Sequence, residues 1–394
     1  MSEERLVPKL RFKDFDDEWV IKRLDEISEI NPKTRELPEN FVYIDLDSVN
    51  NGILTKFNKI NKIDAPSRAQ RCLDLNDILF QTVRPYQMNN FFFELNDCDY
   101  VASTGYAQIK SQIFPRFLYY YLHYYKFVND VLNRCTGSSY PAINSTDLKK
   151  IKIKIPSSFN EQKLIGDLFH KIDKKIELLE NKYEYYQYFK KYLMQQIFTQ
   201  KLRFDFNDEW KNIPFKKLLK EVNEKTTVNN QHEILSSTKE GIFTQKDYFA
   251  DRNVASKDNT GYKVLRKNQI VLSPQNLWMG NINVNTEFDI GIVSPSYKIY
   301  ETTDLIDINY FKHIVKLPRL IYEYTCASEQ GASIVRRNLN KQLFNEITIK
   351  VPSLNEQKKI GNLFDTCDEK IKNIDKNIQD MKEFKKGLLQ QMFV

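Results

Sequence analysis

Apolar side chains recur at alternating spacings of four and three through Ile165, Phe169, Ile172, Ile176, Leu179, Tyr183 and Tyr186, then at Leu193 and Ile197. The same rhythm returns through Ile360, Phe364, Cys367, Ile371, Ile374, Ile378 and Met381, then at Leu388 and Met392. This is a heptad seam. Each copy is broken once, at Lys190 and at Lys385. The pattern predicts two helices, over about residues 161–200 and 356–393, each roughly 55 to 60 Å long at 1.5 Å per residue. Neither can bury its stripe alone. The economical arrangement is an antiparallel coiled coil with a pseudo-twofold axis and a variable domain at each end. Docking each helix on its own domain is the other way to cover the stripe.

Just before each helix, Ile151-Lys-Ile-Lys-Ile155 and Ile347-Thr-Ile-Lys-Val351 alternate with the period of a half-buried strand. Pro156 and Pro352 end these strands. Ser158-x-x-Glu161 and Ser353-x-x-Glu356 then have the form of capping boxes, in which hydroxyl and carboxylate satisfy unpaired helix N-terminal amides.

These segments are copies of one another. Residues 160–169 read NEQKLIGDLF and residues 355–364 read NEQKKIGNLF, eight identities in ten at an offset of 195. The register holds to Lys191-Tyr-Leu-Met-Gln-Gln-Ile-Phe198 against Lys386-Gly-Leu-Leu-Gln-Gln-Met-Phe393. A shorter repeat precedes each half: Leu10-Arg-Phe12 with Asp17-Glu-Trp19, and Leu202-Arg-Phe204 with Asp208-Glu-Trp210. The order is lead-in, variable stretch, helix, twice over.

The variable stretches, 20–150 and 211–345, hold short β-prone runs such as Phe41–Ile44, Ile78–Phe80, Ile270–Leu272 and Ile290–Val293 between Asn, Asp, Gly and Pro clusters. They read as mixed α/β domains. Asn76-Asp-Ile-Leu-Phe80 aligns weakly with Asn268-Gln-Ile-Val-Leu272, and Ser103–Tyr106 with Ser294–Tyr297, so one fold with two different surfaces is expected.

Length and composition narrow the class. The 394 residues suit two or three domains, and 41% hydrophobic with 13% aromatic residues excludes intrinsic disorder. With 59 Lys and Arg against 52 Asp and Glu, the charge of +7 permits a polyanion partner without requiring one. Five Cys with no C-x-x-C pair argue against a disulfide framework or thiolate metal site and fit a reducing cytoplasm. No apolar leader and no run of about 18 apolar residues is present, so secretion and membrane insertion are not expected.

Candidate chemistry lies in the loops. After the aligned strands come Gln81–Asn90, with Arg84, Tyr86, Gln87 and Asn89, and Ser273–Gly280, with Gln275, Asn276 and Trp278. Gln and Asn pair bidentately with adenine and Arg with guanine in the major groove. An ordinary polar turn has the same composition. Second loops, Arg134–Tyr140 with Ser138, Ser139 and Tyr140, and Gly331–Arg337 with Ser333, Arg336 and Arg337, suit phosphate contacts as well as they suit structural turns. Arg68, Arg71, Lys239 and Lys257 add positive charge, which is also how a solvated surface looks. The tyrosines at 119–121, 124 and 125 read as helix core rather than base-stacking groups, and the four His show no ligand spacing.

No local catalytic signature is found. There is no G-x-x-x-x-G-K-[ST] loop, no G-x-G, no methyltransferase Asn-Pro-Pro-aromatic and no G-x-S-x-G elbow. The Glu-x-Lys tripeptides at 161–163 and 209–211 lack a Pro-Asp partner. A binding subunit is the reading that remains.

Two variable domains, each followed by a long helix opening with Glu161-Gln162 or Glu356-Gln357 and ending in Gln-Gln-x-Phe, resemble the DNA-specificity subunit of a type I restriction-modification system. The resemblance covers nearly the whole chain. It implies an α+β fold with target recognition domains at 1–155 and 201–350 and spacer helices at 156–200 and 351–394. It also implies a non-catalytic reader of double-stranded DNA, each domain taking one half of a split, asymmetric target and the coiled coil setting the gap. Two modification subunits with S-adenosylmethionine, and two restriction subunits with ATP and Mg, are the implied partners, and no cofactor is expected in this chain. Gln162, Lys163, Gln357 and Lys358 are expected to be exposed and to contact the modification subunits, or to be plain solvated surface. An adaptor whose two domains bind proteins is the runner-up.

Overall fold

The computed structural model describes residues 5–95, 99–249, 256–330 and 336–394. It has two compact units, Met1–Tyr183 with Ile374–Val394, and Glu184–Asn373. Each of the two long helices, Phe159–Phe198 and Leu354–Met392, contributes residues to both units. Among the described residues no helix is long and apolar enough to cross a membrane.

In the first unit the lead-in strand Val20–Arg23 pairs antiparallel with Lys152–Ile155, the alternating strand before the helix. The second unit repeats this with Lys211–Pro214 and Thr348–Val351. Beyond them each unit has a four-stranded antiparallel sheet of matching order. In the first it runs Ser28–Ile30, Tyr106–Ser111, Ile78–Gln81, Phe91–Phe92, and in the second Leu219–Val222, Lys298–Thr302, Ile270–Leu272, Ile282–Val284. Asn76 and Asn268, two residues before the aligned strands, both take left-handed backbone, at φ 69° and 64°. Asn tolerates that conformation and so marks the same turn in both halves. The units differ outside this sheet. The first adds a second four-stranded sheet ordered Asn58–Asn61, Asn40–Ile44, Tyr100–Ser103, Ala69–Cys72, whereas the second has strand pairs, including Lys263–Arg266 with Ile290–Val293.

Every predicted seam position is buried or half-buried. In the first unit the start of the first helix packs against the end of the second, and Phe169 stacks on Phe393 at 5.7 Å and 16°. In the second unit the counterparts Phe364 and Phe198 stack at 5.8 Å and 26°. The helices therefore run antiparallel in each unit. The two breaks in the seam are ion pairs: Lys385 with Asp173 in the first unit, Lys190 with Asp368 in the second. Charged ends that reach a carboxylate across the seam explain why no apolar residue stands there.

The helices begin two residues earlier than expected, and their opening motif does a different job. Ser158 Oγ accepts from the Glu161 amide at 3.4 Å, but the Glu161 carboxylate does not return to the cap. It takes two hydrogen bonds from Arg11 and lies at 1% exposure, beside the Trp19 indole. Glu356 is held the same way by Arg203, and Ser353 Oγ is buried with no hydrogen-bond partner among the described residues. A bidentate guanidinium outcompetes a single cap amide for a buried carboxylate.

Gln162 and Gln357 are likewise buried, not exposed, which corrects the expectation for them. Gln162 Oε1 accepts from the Phe114 amide and its Nε2 donates to the Pro156 carbonyl. Gln357 Oε1 accepts from Asp307, and its Nε2 donates to Leu305 and Pro352. Phe114 and Asp307 are the N-caps of the helices Pro115–Tyr121 and Ile308–Ile314, so each glutamine fastens a short domain helix to the long one. Gly166 and Gly361 let these helices approach: a Cβ would lie 2.8 Å from Phe117 N at the first and 3.1 Å from Tyr310 N at the second. Lys163 and Lys358 are exposed. Tyr119, Tyr120, Tyr121 and Tyr124 fill the core of the first unit, while Tyr125 is exposed.

Candidate nucleic-acid interface

In the first unit the strand Ile78–Gln81 runs out beside Tyr106 into a short 3-10 turn, Pro85–Gln87, flanked by Arg84 and Met88 in left-handed backbone at φ 54° and 53°. Buried amides hold the loop. The Gln81 amide donates to Asn90 Oδ1, Gln81 Oε1 accepts from the Asn89 amide, and Gln81 Nε2 donates to Gln87 Oε1 at 2.8 Å. Asn89 Oδ1 accepts from the Asn51 amide. Beneath, His123 donates from Nδ1 to the Tyr119 carbonyl, leaving Nε2 to accept from Asn90 at 3.4 Å. Burial pushes this imidazole down to about 4, so it is neutral at neutral pH. Gln87 and Asn89 are thus partly committed to the loop, with Tyr86 and Gln87 facing solvent.

The second predicted loop lies against the first. The Arg84 amide donates to the Pro141 carbonyl at 2.8 Å, Ile143 to Thr82, and Val83 bridges Ala142. The Arg84 guanidinium sits over the Tyr140 ring, 4.2 Å from its centroid, with its Nε buried and without a hydrogen-bond partner. Tyr140, Ser138 and Ser139 are exposed. Arg68 joins the same end: its carbonyl accepts from Thr104, and the adjoining Gly105 carbonyl accepts from Thr82. Arg71 is half-buried, its Nε donating to the Tyr106 carbonyl at 2.8 Å.

The second unit makes the same juxtaposition with the residue types exchanged. Its first loop supplies the ring and its second the cation: Arg337 lies over Trp278 at 4.5 Å, and its amide donates to the Gln275 carbonyl. The turn Leu277–Met279 is set on the helix Pro318–Cys326, where Thr325 donates to the Trp278 carbonyl. Gln275 and Arg336 are exposed and Asn276 is half-buried. Lys239 and Lys257 are exposed too; Lys316 pins the Lys239 carbonyl, and Asn229 that of Lys257. Ser333 lies outside the described residues.

One signal was missed by reading the loops singly. Among the described residues, six arginine side chains have neither a carboxylate nor a hydrogen-bond partner: Arg68, Arg84, Arg134, Arg319, Arg336 and Arg337. All six fall on these loops or on segments bonded to them. Arg319 was not among the expected contacts, and Arg134 was expected only as the first residue of the phosphate-suited loop Arg134–Tyr140. Uncompensated guanidinium groups on these segments, three in each unit, are suited to a polyanion.

Comparison with known proteins bears on this geometry. Residues 16–185 match the family model of the type I restriction modification DNA specificity domain. The HindI type I restriction enzyme specificity subunit of Haemophilus influenzae is 28% identical over 149 residues, 35% of this chain and 31% of that protein's length. The fold resembles the type I restriction-modification S subunit from M. genitalium, at TM-score 0.60 and 17% identity over 98% of this chain and 99% of that one. It also resembles a chain from a structural study of assembly and conformational transition of the type I system, at TM-score 0.56 and 19% identity, covering 95% of this chain and 97% of that one.

Proposed function

We propose that the chain is a type I restriction-modification DNA specificity subunit, a non-catalytic reader in which each unit binds one half of a split, asymmetric DNA target. The observation that supports this is the meeting of two loops at the end of a shared sheet in each unit, rich in unpaired arginine but furnished with different side chains. A common scaffold with unlike reading groups suits two unlike half-sites. Phosphate contacts fix register, and base-edge groups such as Gln87 and Gln275 add sequence discrimination.

The antiparallel helices set the gap between the half-sites. Two modification subunits, holding S-adenosylmethionine, methylate adenine at the sites so chosen, and two restriction subunits, using ATP and Mg, translocate and cleave. Lys163 and Lys358, with the exposed aromatic stripe of Tyr185, Tyr188, Phe189 and Tyr192 along the first helix, are the surface offered to the modification subunits.

The test is methylome sequencing of a strain with and without this chain. A bipartite methylated motif that disappears with the chain supports the reading, and an unchanged set of motifs refutes it. Salt sets this reading apart from a protein-binding adaptor, since DNA affinity falls with a log–log slope of about 0.9 per phosphate contact.

A further inference from the structure

We propose that Arg84 and Arg337 each read a guanine in their own half of the target, held in reading orientation by the faces of Tyr140 and Trp278. The proposal rests on the DNA-recognition reading above and specifies its chemistry. A guanidinium over a ring interacts through its flat side and keeps its in-plane N–H donors for a second partner. Those donors match the N7 and O6 acceptors that guanine presents in the major groove, a pairing no other base edge duplicates.

Three observations converge on these two side chains. Each lies over an aromatic ring, at 4.2 and 4.5 Å from the centroid. Neither has a carboxylate or hydrogen-bond partner among the described residues, and Arg84 Nε is buried in that state. In each unit the pair spans the two loops, which a backbone hydrogen bond also joins.

The exchange of types carries the argument further than either pair alone. In the first unit the cation comes from the loop after the central strand and the ring from the second loop; in the second unit the order is reversed. Unlike loops have thus arrived at the same couple in the same place. A role in loop packing alone would be met by any apolar contact and would leave the guanidinium edge no purpose. Tyr140 and Trp278 are accordingly positioning residues, acting through the arginine beside them.

The experiment is methylome sequencing of cells expressing the full chain with its modification subunits, comparing wild type with Arg84→Gln, Tyr140→Phe, Tyr140→Ala and Arg337→Gln. Arg84→Gln should relax one G·C position in one half-site by about 5- to 150-fold, the range of a bidentate contact, leaving the other half-site intact. Tyr140→Ala should relax that same position, and Tyr140→Phe, which keeps the ring, should not. Arg337→Gln should relax a G·C position in the opposite half-site. The unaffected half-site in each variant reports that the chain is folded and assembled. A bipartite motif that depends on the chain but is unchanged by Arg84→Gln and Arg337→Gln overturns the guanine assignment while the recognition reading stands. The absence of any chain-dependent motif removes both.

Discussion

Arg11 clasps Glu161 through two hydrogen bonds of 2.7 and 2.9 Å across 150 residues of sequence, and Arg203 clasps Glu356 in the same way. Each clasp ties a lead-in segment to the first turn of a long helix, with the carboxylate almost wholly out of solvent. Breaking a buried pair from one side strands the other charge, at a cost of about 3–5 kcal/mol. Arg11→Met should therefore lower the unfolding free energy of the chain by that order, and the double variant Arg11→Met with Glu161→Met should recover much of the loss. Denaturant unfolding checks this; a double variant no better than the single would refute it.

Two helix glycines should respond oppositely to alanine. At Gly166 a Cβ would stand 2.8 Å from Phe117 N and 2.9 Å from the Phe114 ring, so Gly166→Ala must displace the short helix, at about 1–3 kcal/mol. At Gly387 nothing lies within 4 Å, so Gly387→Ala should stabilise by about 0.5–1 kcal/mol through helix propensity alone. Paired melting curves decide it.

How much of this was legible beforehand follows the range of the interactions. The heptad seam, the alternating strands and the prolines that end them are local patterns, and they fixed the helices to within a few residues. The fates of Glu161 and Gln162 were not legible. A Ser-x-x-Glu sequence is sufficient for a capping box, and only the distant Arg11 and Phe114 divert the two side chains inward. Their retention in both copies was the available hint, because a solvated surface has no need of an identical Gln at an offset of 195. The loops were legible as polar and basic, but the couple between Arg84 and Tyr140 depends on the bridge from Val83 to Ala142, which no spacing reveals.

His123 gives the first unit a pH dependence of known sign. The folded imidazole titrates at about 4 and the unfolded one near 6.5, so only the unfolded chain takes up this proton between those values. Stability is then fully present above pH 6.5 and is lost as pH falls toward 4. The stability difference between wild type and His123→Asn should be flat above pH 6.5 and shrink below it. Groups common to both proteins contribute equally and cancel in the difference. A difference that stays constant down to pH 4 would refute the buried neutral imidazole.

On the proposed reading, the paired helices set the gap between two independent half-site readers. Seven residues added to each helix at facing positions would keep the seam in register while lengthening each by roughly 10 Å. Methylome sequencing of cells carrying that chain with its modification subunits should show both half-sites unchanged and the gap between them altered. Unchanged spacing in a chain that still directs methylation, or half-sites that change with the helices, would contradict the claim.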